Sequence, residues 1–304
     1  VSCYRPLPAH RDRQGGAVRI GYKDDADPGD KLELPCGRCI GCRLDRARTW
    51  SVRISHEASL YDSNLFVTLD YAPKHLPASL SLEYPDFQWF MKRLRKELDG
   101  ASVAPDGRRP IRFFCAGEYG SKFQRPHWHA ILFNLRMEDR VRFQNGTYRS
   151  ELLETLWGKG NAVIGEVTPR SAAYVAGYTL SKVYGRPEAY EDVVNLRTGE
   201  LSARRPEFVV MSRRPGIGFW WWKRYAADLF PADHAIQEGK AYKVPRYYWN
   251  RFREEGDPSV VEEVAYRRFL RARAVPASES SDERRAVREE VTEARSKLYG
   301  ERSH

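Results

Sequence analysis

The segment RPHWHAILF, residues 125–133, sets two imidazoles two positions apart in an apolar, aromatic run with the character of a β-strand. Alternate side chains of a strand share a face, so His127 and His129 point one way and Trp128 the other. The run before it, IRFFCAGE, ends at Glu118, and a hairpin through YGSKFQRP returns that carboxylate alongside both rings. Two imidazoles and a carboxylate suffice to hold a divalent cation with open positions. The mixed nitrogen and oxygen donors suit Mg²⁺ or Mn²⁺, with substrate oxygens completing the shell and the ion polarising a phosphate. For the two-residue spacing alone, a hydrogen-bonded or solvated surface pair is the simpler reading; Glu118 on the neighbouring strand is what moves the balance.

A second group lies in SAAYVAGYTLSK, where Tyr174, Tyr178 and Lys182 recur at helical spacing and put two phenols and an ammonium on one face. A phenol, with an ordinary pKa of about 10, needs a nearby cation or metal to act as a nucleophile, and Lys182 could supply that help. Tyrosines four apart also simply pack on a sheet, and the small neighbours Ala172, Ala173, Ala176 and Gly177 fit close packing in either case. A third group is PCGRCIGC with a cysteine upstream: Cys3, Cys36, Cys39 and Cys42 make a four-thiolate set suited to tetrahedral Zn²⁺. An iron–sulfur cluster could use the same thiolates, but nothing else in the chain argues for redox work. Cys115, inside an apolar strand, reads as a buried thiol. Basic residues follow the cysteines at Arg43, Arg46 and Arg53, and recur at Arg213 and Arg214. A basic-aromatic stretch holds Lys243, Arg246, Tyr247 and Tyr248, whose rings could stack on bases. A charged face is also often merely solvated. Trp220, Trp221 and Trp222 read as packing residues.

The elements that must position these groups are legible from periodicity. NLFVTLD, residues 64–70, reads as a strand; residues 83–98 place Phe87, Phe90, Met91, Leu94 and Leu98 at helical spacing. Residues 111–118 and 127–135 pair as strands, residues 150–158 form a short helix capped by Ser150, and residues 162–168 form a further strand. The order is βαββαβ, a ferredoxin-like split βαβ arrangement in an α+β protein with an antiparallel sheet. An additional helix is expected over 168–185, and a solvated helix or partly disordered tail over the last fifty residues. Composition divides the chain into a Cys-rich segment with a basic helix at 1–60, a central domain at 61–230, and a basic-aromatic and charged segment at 231–304.

The 304 residues carry 51 Lys and Arg against 41 Asp and Glu, a net charge of +10 that points to nucleic acid or another acidic surface. With 41% hydrophobic residues the chain can build a packed core, which excludes a dominantly disordered basic tail. The closely spaced cysteines do not read as a disulfide framework, and no apolar run is long enough for a membrane span or signal segment, so a cytosolic location is expected.

The segments PCGRCIGCRLDRARTW, FVTLDYAPKHLP, FFCAGEYG, RPHWHAILF, SAAYVAGYTLSK, MSRRPGIG and VPRYY occur in that order. Together they resemble the replication initiators of gokushovirus-type microviruses, members of the HUH endonuclease superfamily. The resemblance implies an HUH core in which His127 and His129 hold the catalytic metal with Glu118 as third ligand, and Tyr174 and Tyr178 are the paired tyrosines. It also implies rolling-circle initiation: metal-dependent nicking and rejoining of origin DNA through a 5′-phosphotyrosine that leaves a 3′-hydroxyl primer. Single-stranded and replicative-form viral DNA would be the substrates, a host helicase and DNA polymerase the partners, and the bacterial cytoplasm the site of action. Asp70, a charge at the end of the first motif strand, has no assigned role. A non-enzymatic zinc-containing DNA-binding regulator is the alternative, as is the same chemistry in a plasmid initiator, relaxase or transposase.

Overall fold

The computed structural model describes every residue except 1–2, 12–16, 22–30, 121–122, 169–170, 173–174, 178–191 and 302–304. It divides into two compact units, one made of Val1–Arg46 with Asp257–His304 and the other of Ala47–Gly256. Three consecutive segments were expected from composition. Both ends of the chain enter one unit instead.

In the first unit, β1 (Leu7–Arg11) pairs antiparallel with β2 (Val18–Ile20) and β3 (Lys31–Leu34). Helix α1 (Ile40–Ala58) starts here and continues into the second unit.

The second unit is organised by a seven-stranded antiparallel sheet. Its members are β4 (Asn64–Leu69), β5 (Arg112–Tyr119), β6 (Pro126–Phe133), β7 (Val141–Arg142), β8 (Tyr148–Arg149), β9 (Ala162–Glu166) and a later edge strand, Phe208–Met211. From that edge strand inward the order is β5, β6, β4, β9, β8, β7. Between β4 and β5 lies α2 (Tyr84–Glu97), opened by Pro85 in its first turn. Between β8 and β9 lies α3 (Glu151–Trp157), where the Ser150 side chain accepts from the Leu153 N–H and Gly158 closes the helix in the left-handed region.

Two apolar layers sandwich the sheet. Phe87, Phe90, Met91 and Leu94 of α2 and Leu153, Leu156 and Trp157 of α3 pack on the face carrying Leu65, Val67, Trp128 and Leu132. Ile54 of α1 and the helical residues Ala172, Val175 and Ala176 pack on the opposite face, against Phe114, Ala116, Ile131 and Phe133. Burial on both faces is why β5 and β6 read as continuous apolar runs instead of alternating ones. Gly117 is required by this packing, since a Cβ there would stand 2.8 Å from the Trp128 ring.

The charge-dense end of the chain forms α4 (Phe219–Tyr225) and α5 (Arg246–Glu255) in the second unit, then α6 (Pro258–Arg273) and α7 (Asp282–Glu301) in the first. Helix α7 is fastened within its unit by an Arg5 to Glu289 ion pair at 2.7 Å and a hydrogen bond between the Tyr4 and Thr292 hydroxyls at 2.9 Å.

Candidate metal centres and nucleic-acid surface

Register brings the first group together. Glu118 of β5 lies directly across from His127 of β6, and Ala116 across from His129, so the carboxylate and both rings emerge on one face. A single oxygen, Glu118 Oε1, stands 2.6 Å from His127 Nε2 and 3.0 Å from His129 Nε2. The opposite ring nitrogens are tied back. His127 Nδ1 donates to the Arg125 carbonyl at 3.2 Å, and His129 Nδ1 meets the Thr68 hydroxyl of β4 at 3.0 Å. Phe66, two positions before Thr68 on the same face, stacks on His129 at 5.7 Å and 15°. Fixing Nδ1 in this way aims both Nε2 atoms at a common point, the outer support that metal-binding histidines need.

Electrostatics agree with a cation at that point. Burial opposes ionisation of Glu118, yet the hydrogen bonds and charges of the two histidines outweigh it and hold its carboxyl below the usual range. Burial also opposes charge on His127, but Glu118 raises its pKa above the ordinary imidazole value; for His129 burial wins and the pKa is lowered. One carboxylate oxygen and two supported imidazoles are a donor set that could hold a divalent ion.

The four cysteines also converge, with ligand atoms within 4.8 Å of one another. Cys3 Sγ accepts from the Cys36 N–H at 3.2 Å, Cys36 Sγ from the Cys39 N–H at 3.3 Å, and Cys39 Sγ from the Tyr4 N–H at 3.3 Å. Burial resists ionisation of Cys36, but donation from the Cys39 and Arg38 N–H groups prevails and brings it down to about 7. Burial raises Cys3 and Cys42. Sulfurs that accept backbone N–H groups and crowd one another fit a thiolate set neutralised by a cation, and the cluster could hold zinc. Cys115 is fully buried, as its strand context predicts.

Residues 64–183 match the family of the replication-associated protein ORF2. Over 260 residues, 84% of this chain and 78% of the relative, the sequence is 31% identical to the replication-associated protein VP4 of Bdellovibrio phage phiMH2K. The chain belongs to this replication-associated protein family. The replication-associated protein is also 31% identical over 279 residues to the replication-associated protein ORF2 of Spiroplasma virus 4, covering 84% of the chain and 81% of that relative. It is 28% identical over 250 residues to the replication-associated protein ORF4 of Chlamydia phage 1, covering 79% of the chain and 58% of the relative. No solved structure matches it.

The residues of the replication-associated protein expected to meet nucleic acid separate into two classes. Arg213, Arg214, Lys243 and Arg246 are exposed. Arg214 lines a cleft of about 260 Å³ with Arg95, Arg108, Arg109, Arg112 and Trp220, at the end of β5 away from Glu118. Arg43 and Arg46 are half-buried on α1, and Arg46 donates to the Gly37 carbonyl at 3.3 Å. Arg53 and Tyr248 require correction, because both are interior. Arg53 is 9% exposed, donates twice to the Ile217 carbonyl at 3.1 and 2.8 Å, and lies between the rings of Trp50 and Tyr247. Tyr248 is fully buried, its hydroxyl 3.2 Å from His56 Nδ1, and Tyr247 is half-buried beneath Arg53. These side chains pack α1 against the 217–248 region. Tyr174, Tyr178 and Lys182 lie outside the described residues. Among the described residues, no helix is long and apolar enough to cross a membrane.

Thr68, Phe66 and Arg125 support the Glu118 group without having been singled out by type or spacing. Thr68 could have been found by continuing the strand alternation of FVTLD one sheet position further, since it faces His129 in register.

Proposed function

We propose that this replication-associated protein is an HUH-type endonuclease that initiates rolling-circle replication by nicking and rejoining origin DNA. The observation that carries the reading is the sharing of Glu118 Oε1 by His127 and His129. It is supported by the face on which this occurs, the one covered by Ala172, Val175 and Ala176 of the helical stretch around Tyr174. The order β5, β6, β4, β9, all antiparallel, is that of a ferredoxin-like split βαβ core and supports the same reading.

In this reading Glu118, His127 and His129 hold Mg²⁺ or Mn²⁺, which when bound polarises the scissile phosphate. Thr68 and the Arg125 carbonyl keep both Nε2 atoms directed at that site. The phenol oxygen of Tyr174 or Tyr178 attacks phosphorus, the P–O3′ bond breaks, and the phenol proton leaves the ring as the departing oxygen becomes a 3′-hydroxyl. Lys182 lowers the phenol pKa. The 5′-phosphotyrosine conserves the bond energy for rejoining, and two tyrosines allow one to hold a strand while the other cuts. The cysteine cluster holds structural Zn²⁺. Single-stranded and replicative-form viral DNA are the substrates, a host helicase and polymerase use the primer, and the bacterial cytoplasm is the setting.

Incubation with Mn²⁺ and a single-stranded origin is expected to give a denaturation-resistant protein–DNA adduct, lost in His127→Ala and in the double variant Tyr174→Phe, Tyr178→Phe. An adduct persisting in the double variant overturns the assignment. DNA binding without any adduct, unaffected by His127→Ala, would favour a zinc-containing regulator, the reading that the cysteine cluster alone supports.

A further inference from the structure

Asp70, just past the end of β4, has no part in this nicking chemistry, yet the surrounding chain is arranged to hold it. The Trp157 indole N–H donates to its carbonyl at 2.6 Å, and its own N–H donates to the Asn161 carbonyl at 3.1 Å. Its carboxylate accepts from the Asn161 backbone N–H at 2.8 Å and from the Asn161 amide at 3.0 and 3.1 Å. Gly160 permits this closure, because a Cβ there would stand 2.3 Å from the Asp70 carbonyl oxygen and 2.6 Å from the Ala72 nitrogen. The carboxylate is therefore oriented by neutral amides. Of its roughly four lone-pair positions, three are taken, which leaves one on Oδ2.

That carboxylate lines a cleft of about 500 Å³, together with Tyr71, Pro73, Phe123, Arg125 and His127. The volume suits one nucleotide. His127 belongs both to this cleft and to the proposed metal site, so an occupant here adjoins whatever phosphate is held there. Phe123 is 73% exposed and offers a ring face for stacking. Arg125, which donates to the Tyr71 carbonyl at 2.6 Å, places a positive charge on the same wall and offsets the cost of a carboxylate beside a polyanion.

We propose that this cleft takes an unpaired base of the bound strand and that Asp70 selects a base with an exocyclic amino group over thymine. The proposal rests on reading Glu118, His127 and His129 as the phosphate-facing centre. Cytosine, adenine and guanine each present an amino N–H that a carboxylate oxygen can accept. Thymine's single N3–H lies between two carbonyl oxygens, which the carboxylate repels.

The test measures binding of 15-nucleotide dC, dA and dT strands to the full chain by fluorescence anisotropy in EDTA at fixed salt, so no cleavage is involved. The wild type is expected to prefer dC and dA over dT by about fivefold or more, and Asp70→Asn, whose amide can also donate to thymine O4, to bring that ratio near one. Phe123→Ala is expected to weaken all three strands alike, by about fivefold or more. An unchanged ratio in Asp70→Asn, or strand affinities that ignore Phe123→Ala, overturns the proposal. Should Asp70→Asn fail to fold, Asp70→Ser takes its place and Phe123→Ala, at so exposed a position, still reads the cleft. Failure of the nickase reading appears separately, as absence of the Mn²⁺-dependent adduct from a protein that keeps its base preference.

Discussion

His129 depends for its orientation on a hydroxyl from another strand. Replacing Thr68 by Val keeps the shape and removes the Nδ1 partner, so Mn²⁺ affinity measured by calorimetry is expected to fall about 10- to 100-fold while thermal stability changes little. A different histidine makes a pH prediction. His56 stacks on Trp221 at 3.5 Å, and burial drives its pKa down to about 3. The unfolded chain binds a proton at about pH 6.5 that the native ring refuses, so this contribution to stability is complete above that pH. It is lost as pH falls towards 3, by at most about 1.4 kcal/mol per pH unit. His56→Phe keeps the stack and cannot titrate, so urea midpoints should drop less steeply than wild type between pH 6.5 and 4. The pairing of His127 with His129 was legible from a two-residue spacing because strand alternation is local. Thr68 was not, because its partnership arises from sheet register between segments far apart in sequence.

At the scale of elements, helix α1 shows where sequence reading runs short. Arg53 sits among arginines that look like one basic face, yet burial, a carbonyl and two aromatic rings make it a packing residue. A nearby interior hub explains why: Glu57, fully buried on the same helix, accepts from Arg112 of β5 at 2.6 Å and from the Gly218 N–H at 2.6 Å. Periodicity revealed the helix but could not say which polar residues its neighbours would satisfy. The two kinds of arginine are separable by experiment. Arg213→Ala with Arg214→Ala is expected to lower single-strand affinity and flatten its dependence on log salt by about 0.7 for each phosphate no longer neutralised, with stability unchanged. Arg53→Ala should instead lower the unfolding midpoint, because removing a buried partner leaves the Ile217 carbonyl without its donors. The strands and α2 were readable because apolar spacing and caps such as Ser150 are local signals. Their sheet order is not local.

At the scale of the whole chain, the cysteine cluster and the sheet belong to different compact units, so their metals should be removable separately. Purified protein is expected to carry one zinc per chain. Stripping it should expose Cys3, Cys36, Cys39 and Cys42 to a thiol reagent while Cys115 stays protected, as mass spectrometry of the labelled chain would show. The expected three-part division was misplaced because composition is read along the chain, whereas the Arg5 to Glu289 and Arg285 to Glu33 pairs join its two ends. That joining sets an order in time. On the ribosome residues 47–256 emerge as one continuous stretch and can complete their sheet while Arg5 and Glu33 still wait for partners synthesised last, about 10 to 50 s later at ordinary elongation rates. The nascent chain would therefore own its proposed cutting centre before it can close the unit that holds its cysteines.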